Sequence, residues 1–385
     1  MIDLAISREK IDSIDRQILQ LFEERMQVCE AVAEYKIETG KQVLDPERER
    51  SKIETLQNLA HGEFNRLGTQ ELFRQIMAIS RKRQYQLLTQ KGIEWENSFR
   101  EIEALKKTDI QVVYQGVEGA YSHAAMRRFF GKDVSSHSVK TWRQAMEAVA
   151  KKSADYAVLP IENSTVGVVA EVYDLMTEFQ LYILGEQIIS IQHVLLGTKA
   201  ARLEDIKKVI SHQQALSQCR KYLETHPDWQ EQVMENTAYS AKMVRDMGDA
   251  SIAAIASAGA GELYGLQVLE ENLCANQQNS TRFLIIGKEP LVEKDADKIS
   301  ICFELPHAAG SLYSMLSHII YNGLNMTKIE SRPIPGKNWE YRFYVDFMGN
   351  ISDSAVVNAL RGLEAEANML HVFGNYKNQE VIGEV

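Results

Sequence analysis

A long amphipathic stretch at the start of the chain constrains the fold more than any other feature. Between about Asp3 and Thr39, apolar residues recur at spacings of three, four and seven, which predicts one helix with an apolar stripe: Ile11, Ile14, Ile18, Leu21, Val28 and Val32. Gly40 follows as the glycine that ends such a helix. A helix of about 36 residues cannot bury this stripe within a short domain, so we predict a dimer of interleaved helices.

The residues that follow predict two more helices. Asp45-Pro46-Glu47 supplies an N-cap, an N1 proline and an acidic first turn for a second helix, which Gly62 would end. A third helix is expected from about Gly68 to Gln90. Residues 1–90 therefore form a predicted all-α domain, and we expect the charged residues 91–108 to prolong the third helix as a helical connector.

From Asp109 onward the pattern changes twice. Short strand-like runs alternate with helical stretches over residues 109–288, which predicts an α/β module with two lobes around a cleft. Strands are expected near 110–114, 156–160, 188–196, 206–210, 252–256 and 283–287. Residues 298–376 then follow the order βαββαβ, the ferredoxin-like split βαβ arrangement. A chain of 385 residues is too long for one core, in agreement with this multidomain reading.

Composition narrows the functional classes. The net charge of -10 argues against a general nucleic-acid binder, which needs a basic surface. No apolar run is long enough for a membrane span, and the first residues lack the apolar core of a secretory signal. The 4 cysteines form no CxxC pair and the 9 histidines no HExxH motif, so we expect no metal, no disulfide framework and a cytoplasmic location.

Three cations interrupt one seam of the first predicted helix: Arg8, Arg25 and Lys36. Arg25 and Lys36 are separated by roughly 17 Å of helix axis, so their long side chains can hold the two ends of a small dianion. Arg8 lies roughly 26 Å from Arg25 and can reach only the site of a partner chain. The alternative is that these are ordinary surface cations with apolar stems along the helix.

This N-terminal set resembles the active site of the all-helical chorismate mutase family at eight positions: Arg8, Arg25, Lys36, Asp45, Arg48, Glu49, Ser80 and Gln84. The resemblance implies that Arg25 and the partner's Arg8 hold the two carboxylates of chorismate. Lys36 and Gln84 would donate to the ether oxygen, Glu49 would take the substrate hydroxyl, and the other three would support the pocket. Conversion of chorismate to prephenate involves no proton transfer, so the protein needs only to hold a compact conformer and stabilise developing negative charge.

In the middle module, Gly116-Val117-Glu118-Gly119 after a strand is GxxG and not GxGxxG, which argues against a nicotinamide-dependent prephenate dehydrogenase. Residues 110–287 instead resemble prephenate dehydratase, a fold like that of periplasmic binding proteins. The motifs that carry this resemblance are Gly116 to Ser122, Pro160-Ile161-Glu162-Asn163-Ser164, Ser211-His212-Gln213-Gln214-Ala215-Leu216 and Thr281-Arg282-Phe283. Taken alone, the glycines could serve a turn, and Asn163 and Ser164 a helix cap.

The dehydratase resemblance implies roles for seven residues. Thr281, expected to precede the strand Phe283–Gly287, would hydrogen-bond the departing ring hydroxyl of prephenate, with the proton coming from a water or from Glu162. The implied substrate-binding residues are Ser122, Asn163, Ser164, Ser211, Gln214 and Arg282. Cations or backbone amides would hold the two carboxylates of the substrate.

The C-terminal module resembles an ACT domain, a small-molecule sensor. The motifs that carry the resemblance are Gly310-Ser311-Leu312 and Glu330-Ser331-Arg332-Pro333. They imply that phenylalanine binds between the ACT domains of two chains and lowers dehydratase activity. The alternative is structural, with Gly310 at a helix start and Glu330 and Arg332 as a surface ion pair.

These observations favour a bifunctional enzyme of phenylalanine biosynthesis that converts chorismate to prephenate and prephenate to phenylpyruvate. No cofactor, nucleic acid or membrane is implied, and the expected partners are the two substrates, phenylalanine and a second copy of the chain. A ligand sensor is the alternative from another class, because both the cleft module and the ACT-like module resemble binding folds. A working dehydratase joined to an inactive mutase is a third possibility.

Overall fold

The computed structural model of the chain describes residues 3–274 and 278–379. Two compact units are present, one formed by the chain up to Asn97 with Ile299–Val372, the other by Ser98–Lys298 with the chain from Phe373 onward. No helix within the described ranges is both long and apolar enough to cross a membrane. Met1 and Ile2 of the predicted first domain lie outside the described residues.

The N-terminal region consists of three helices, as predicted: α1 (Leu4–Thr39), α2 (Pro46–Leu59) and α3 (Glu63–Gln90). The Asp3 carboxylate caps α1, Gly40 ends it in the left-handed region at φ 66°, and Asp45 caps α2. The predicted start of α3 at Gly68 is late. Gly62, at φ 81°, is the N-cap of α3 and does not end α2, so α3 begins one turn earlier.

The apolar stripe of α1 is exposed within one chain. Ile11 and Ile18 are each 55% exposed and Leu21 is 65% exposed, while Ala33 is the buried residue of this helix. Isolated apolar residues on a surface are ordinary, but a continuous stripe of this length marks an interaction surface.

The prediction of a helical connector over residues 91–108 is wrong. Gly92 has a φ of 75°, a left-handed conformation that stops α3. The short strand β1 (Arg100–Ile102) then pairs in parallel with Leu291–Glu293. Ile102 and Leu291 pack against the core of the second unit, and this burial favours a strand over a longer helix.

The second unit has two sheets. Its elements are β2 (Gln111–Gln115), α4 (Tyr121–Phe130), β3 (Ser135–Val139), α5 (Trp142–Ala150), β4 (Tyr156–Asn163), β5 (Gly167–Val168), α6 (Ala170–Phe179), β6 (Tyr182–Ser190), β7 (Val194–Gly197), a 3-10 turn (Leu203–Asp205), β8 (Lys208–His212), α7 (Gln213–Gln218), α8 (Arg220–Leu223), β9 (Gln230–Met234), α9 (Thr237–Met247), β10 (Ile252–Ala256), α10 (Ala258–Tyr264), β11 (Gln267–Glu270), β12 (Ser280–Gly287) and β13 (Leu291–Glu293).

The strands define two lobes. The first lobe has the order β3-β2-β4-β12-β6, with β5 on β4, and the second has the order β11-β7-β10-β8-β9. The chain therefore leaves the first lobe after β6 and returns to it with β12. The single strand predicted over 188–196 is in fact two, β6 and β7, which belong to different lobes.

Alternation of side chains explains why the second sheet is buried on both faces. Leu195, Val209 and Ile255 belong to one apolar cluster, while their sequence neighbours Leu196 and Ile210 belong to another. Successive side chains of a strand point to opposite faces, and helices cover both. Such a sheet is a rigid support for residues at its strand ends.

The prediction that Thr281 precedes its strand is also wrong. Thr281 lies in β12 and pairs with Asn163 of β4 on one side and Ile189 of β6 on the other. Because β12 is inserted between two long strands, it continues to their ends. Thr281 and Arg282 consequently point to opposite faces of the sheet.

The C-terminal elements follow the predicted order βαββαβ. They are β14 (Lys298–Glu304), α11 (Ser311–Tyr321), β15 (Met326–Pro333), β16 (Tyr341–Met348), α12 (Ser354–Glu366) and β17 (Met369–Tyr376). The sheet has the order β15-β16-β14-β17, and Phe303, Tyr344, Phe347 and Phe373 fill its core.

Gly374 in β17 gives a stability test. A Cβ atom at this position would collide with the backbone carbonyl oxygen of Ile183, which cannot move aside as a side chain can. Gly374→Ala is expected to cost about 1–3 kcal/mol and to lower the thermal midpoint of unfolding. Gly259→Ala is the matched control, because this helical glycine has open space around it and alanine favours a helix. Equal midpoints for the two variants would contradict the close approach.

Candidate active sites

The three N-terminal helices surround a cavity of about 760 Å³. Seven of the eight predicted mutase residues line it: Arg25, Lys36, Asp45, Arg48, Glu49, Ser80 and Gln84. The eighth, Arg8, is exposed near the other end of α1 and does not line the cavity of its own chain. This placement follows from the unbroken helix, which fixes the separation of Arg8 and Arg25 at roughly 26 Å.

Two cations of α1 are held by groups from the other elements. Arg25 Nη1 donates to Ser80 Oγ at 2.5 Å, and Lys36 Nζ donates to the Val43 carbonyl at 2.6 Å. Burial lowers the pKa of Lys36, and the charges of Asp45 and Glu49 only partly oppose this effect. The cavity thus presents a fixed guanidinium and an ammonium that loses its proton more readily than an exposed lysine.

Arg81 is a cavity residue that the sequence analysis missed. Its Nη1 atom lies 2.7 and 2.6 Å from the two carboxylate oxygens of Glu49. Arg81 is buried and follows Ser80 directly on α3. The sequence did contain a signal that could have identified Arg81, namely its position between two predicted site residues, Ser80 and Gln84. One atom of the buried Gln84 carboxamide, assigned as Oε1, has no hydrogen-bond partner in the described protein.

A second cavity, of about 400 Å³, lies between the two lobes of the second unit. Predicted residues from both lobes line it: Ser122, Asn163, Gln214 and Thr281. They lie at the ends of β4 and β12 and at the starts of the helices that follow β2 and β8. Clefts outside the carboxyl ends of parallel strands are where open α/β sheets bind ligands.

The Asn163 carboxamide fixes the hydroxyl of Thr281. Its Oδ1 atom accepts from the backbone amides of Thr165 and Val166 at 3.0 and 3.1 Å, which identifies the other end as the amide nitrogen. That nitrogen donates to Thr281 Oγ1 at 2.8 Å. Because the Thr281 oxygen accepts this bond, its own proton is directed to another acceptor.

A chain of polar side chains on the cavity wall was also missed. Tyr121 Oη donates to the Gln192 carbonyl at 2.8 Å and lies 3.0 Å from His193 Nδ1. His193 Nε2 lies 3.1 Å from Gln218 Oε1. Burial lowers the pKa of His193 to about 4, although the Gln218 hydrogen bond opposes this shift, so the imidazole is neutral near pH 7. His193 belongs to no motif that the sequence analysis used, and its signal was a histidine within the predicted strand 188–196; it lies between β6 and β7.

Three predicted substrate-binding residues do not line this cavity. Ser211 is fully buried and donates to the Ile255 carbonyl at 2.6 Å, so it holds two strands together. Ser164 Oγ is bonded to the backbone of Gln278 and Ser280, where it fixes the loop before β12. Glu162, the suggested acid, does not line the cavity either.

Arg282 is the third, and its assignment to substrate binding is corrected by the strand alternation. Its Nε donates to Glu186 Oε2 at 2.6 Å and its Nη2 to Tyr376 Oη at 2.7 Å, on the face of the sheet opposite Thr281. Lys298 Nζ lies 3.0 Å from both oxygens of the same carboxylate. Glu186 is fully buried, so these cations compensate its charge.

Without Arg282, this cavity has no lysine or arginine among the described residues that line it. Backbone amides remain. The first turns of α4 and α9 border the cavity at Tyr121 and Thr237. No side chain caps α4, whereas the Asn236 carboxamide caps α9 by accepting from the Tyr239 amide. Helix N-termini present free N–H groups and partial positive charge to an anion.

A third cavity, of about 360 Å³, lies beside the start of α11 in the C-terminal module. Ser311 and Leu312 of the first predicted phenylalanine motif line it, together with Trp339, Tyr341 and Phe343. The second motif, Glu330-Ser331-Arg332-Pro333, lies on β15 at the edge of the sheet and is not part of this cavity.

Comparison with known proteins agrees with the two enzyme sites. The family model for chorismate mutase type II matches residues 7–85, and the model for prephenate dehydratase matches residues 112–291. The bifunctional chorismate mutase/prephenate dehydratase of Enterobacter agglomerans is 32% identical over 383 residues, covering 97% of this chain and 96% of that protein.

Solved structures resemble the part of the chain beyond the helices. Prephenate dehydratase from Arthrobacter aurescens in complex with L-Phe is 30% identical with a TM-score of 0.64, covering 70% of this chain and 90% of that one. GqqA, described as a novel type of quorum quenching acylase, has the same identity and TM-score and covers 70% of this chain and 98% of that one. One fold can host different activities, so function must be argued from the site residues.

The two family models and the relative that matches 97% of this chain are all enzymes, which argues against the alternative of a ligand sensor. Each family model spans the residues that line one of the two cavities. The chain belongs to the family of bifunctional chorismate mutase/prephenate dehydratases.

Proposed function

We propose that the cavity between the three N-terminal helices rearranges chorismate and that the cavity between the two lobes dehydrates and decarboxylates prephenate. The observation that carries the proposal is the convergence of residues far apart in sequence, Arg25 with Ser80 in one cavity and Asn163 with Thr281 in the other. Domain limits of 1–90, 109–288 and 298–376 and a cytoplasmic location are part of the same proposal.

In the helical cavity, Arg25 takes one substrate carboxylate, and Lys36 and Gln84 act at the ether oxygen. Lys36 is a stronger donor than Gln84 when it is charged. Burial lowers the pKa of Lys36, and the charges of Asp45 and Glu49 partly oppose this effect. The unpartnered atom of the buried Gln84 carboxamide is assigned as Oε1, an acceptor, so Gln84 donates to the ether oxygen through its amide nitrogen. Asp45, Arg48 and Ser80 position the helices and the two cations.

A second copy of the chain completes this cavity. The exposed stripe of α1 needs a cover, and a partner α1 packed against it supplies one. Arg8, which cannot reach the cavity of its own chain, then extends into that of the partner and takes the second carboxylate. The mutase is therefore proposed to be active only as a dimer.

Replacing Lys36 tests the mutase site. Lys36→Ala is expected to lower the kcat for prephenate formation by about 10²–10³, because a donor to the developing charge is lost. In the unmodified enzyme, kcat should fall as the pH rises through the lowered pKa of Lys36, since the ammonium then loses its proton. Rates are followed by the loss of chorismate absorbance. Lys91→Ala, a change to an exposed lysine that pairs with Glu34 and does not line the cavity, serves as the comparison. An unchanged rate of prephenate formation in Lys36→Ala would contradict the assignment of this cavity as the mutase site.

In the second cavity, the Thr281 hydroxyl hydrogen-bonds the departing ring hydroxyl of prephenate, and a separate acid supplies the proton with which this hydroxyl leaves as water. Asn163 positions the Thr281 hydroxyl by occupying the lone pair of Oγ1 that faces away from the substrate. Glu235 is the carboxyl group in the cavity lining, so it replaces Glu162 as the candidate acid. The amides at the starts of α4 and α9 take the carboxylates, with Ser122 and Gln214 beside them.

Replacing Thr281 tests the dehydratase site. Thr281→Val keeps the shape of the side chain and removes the donor, and it is expected to lower the kcat for phenylpyruvate formation by about 10²-fold. Thr281→Ser retains the hydroxyl and should keep most of the activity. The readout is phenylpyruvate absorbance in alkali with prephenate as substrate. Equal rates for the valine and serine variants would remove Thr281 from the reaction.

We also propose that the C-terminal module is a ferredoxin-like ACT domain that binds phenylalanine and lowers dehydratase activity. Its βαββαβ order, the L-Phe complex of the Arthrobacter aurescens relative and the apolar cavity at Ser311 and Leu312 support this. The second motif lies on the edge strand β15 and not in this cavity, so the complete site is proposed to form between two chains.

Phenylalanine binding is tested by inhibition. L-Phenylalanine at about 1 mM is expected to lower the dehydratase rate, because a Kd at or below this concentration leaves at least half of the sites occupied. Leu312→Asp places a charge in the apolar cavity and should raise the concentration for half-inhibition about tenfold or more. D-Phenylalanine serves as the control ligand. A rate unaffected by L-phenylalanine would contradict the regulatory role of this module.

A further inference from the structure

Arg81 lies between two carboxylates that are far apart in the sequence. Its Nη1 atom contacts both oxygens of Glu49 at 2.7 and 2.6 Å, and its Nε and Nη2 atoms lie 3.0 and 2.8 Å from Glu366 Oε1. Glu366 is the last residue of α12 in the C-terminal module and is 285 positions from Arg81. All three residues belong to the same compact unit.

The pair with Glu366 is itself fixed from a third side. His318 Nε2, on α11, lies 3.0 Å from the same Glu366 oxygen, and His318 is buried. The imidazole nitrogen therefore donates to a carboxylate that also accepts two bonds from Arg81. These contacts connect α11 and α12 of the C-terminal module with a residue lining the helical cavity.

These ion pairs are largely buried, and their geometry fixes the orientation of the Arg81 guanidinium. The side chains of Arg81 and Glu366 are only 9% and 13% exposed, and that of Glu49 is 27% exposed. Burial disfavours the charged guanidinium, yet the two carboxylates outweigh this and raise the pKa of Arg81. A guanidinium is planar and rigid, so two bonds from Nε and Nη2 to one carboxylate fix where Nη1 points.

We propose that Arg81 and Glu366 are positioning residues for the mutase reaction. Glu366 orients the Arg81 guanidinium, and Arg81 in turn holds the Glu49 carboxylate in the rotamer that accepts the substrate hydroxyl. The mutase site thereby depends on the C-terminal module of the same chain. This inference rests on the proposed role of Glu49 in the helical cavity.

Other contacts keep α3 against the C-terminal helices without Glu366. Lys82 Nζ donates to Ser317 Oγ at 2.8 Å, and Thr89 Oγ1 donates to Asn358 Oδ1 at 2.7 Å. A neutral replacement at Glu366 therefore alters the orientation of Arg81 while the helices remain docked.

The experiment uses the full-length protein and a double-mutant cycle. Glu366→Gln, which preserves side-chain size, is expected to lower the mutase kcat/KM about tenfold, because the Arg81 guanidinium is no longer fixed. In a Glu49→Gln background the same change should have less than about a twofold effect, because the group being positioned is absent. Arg81→Lys should resemble Glu366→Gln, since an ammonium cannot bridge two carboxylates in a fixed plane.

A matched control is available on the same helix. Arg83 and Glu30 form a pair at 2.6 Å, but their side chains are 34% and 41% exposed and neither lines the cavity. Glu30→Gln is expected to leave mutase activity unchanged. Dehydratase activity, measured on the same preparations of Glu366→Gln, should remain within about twofold, because the helices remain docked.

Several outcomes would overturn the inference. They are wild-type mutase activity in Glu366→Gln, an undiminished effect of Glu366→Gln in the Glu49→Gln background, or a tenfold loss of dehydratase activity that reveals general damage. If instead Glu49→Gln itself leaves mutase activity intact, the proposed mutase site is wrong, and this result is distinct from a failure of the Arg81 and Glu366 positioning.

Discussion

The insertion of β12 between β4 and β6 is the constraint on which the second unit depends. This strand returns from the second lobe, pairs antiparallel on both sides and brings Thr281 level with Asn163 at the strand ends. The next residue, Arg282, points to the other face and compensates the buried Glu186 with Lys298. One strand therefore supplies both a group in the cavity and a group in a buried ion network, because alternate residues face opposite sides.

The two cavities offer different kinds of group to an anion, in a chain with a net charge of -10. The helical cavity uses side-chain cations, Arg25 and Lys36, supported by hydrogen bonds from neighbouring elements. The described lining of the cavity between the lobes contains no lysine or arginine and includes the starts of α4 and α9. Backbone amides need no compensating carboxylate and cannot be titrated, whereas the buried lysine has a lowered pKa.

The sequence patterns predicted most helices and strands, but they did not predict the directions in which side chains point. The caps Asp3 and Asp45 and the period of α1 determine local structure, so the three helices were predictable. The strand limits of β6, β7 and β12 depend on partners distant in the chain, and these limits were predicted wrongly. Thr281 was predicted to lie before β12, so the alternation of side chains along the strand was not applied to the residue that follows it. Arg282 was therefore assigned to the cavity, although it points to the other face of the sheet.

The partners of Arg81 could not be predicted from its position in the sequence. On α3 it reads as one of several basic residues, Arg81, Lys82 and Arg83, and only Arg83 has the half-exposed partner that such a run suggests. The other two turn toward the C-terminal helices, where Glu366 and Ser317 meet them. A buried arginine is stable only when its partners are fixed, and those partners come from the far end of the chain. The N-terminal helices and the C-terminal module therefore share one buried charge network, which explains why they form a single compact unit although the α/β lobes separate them in sequence.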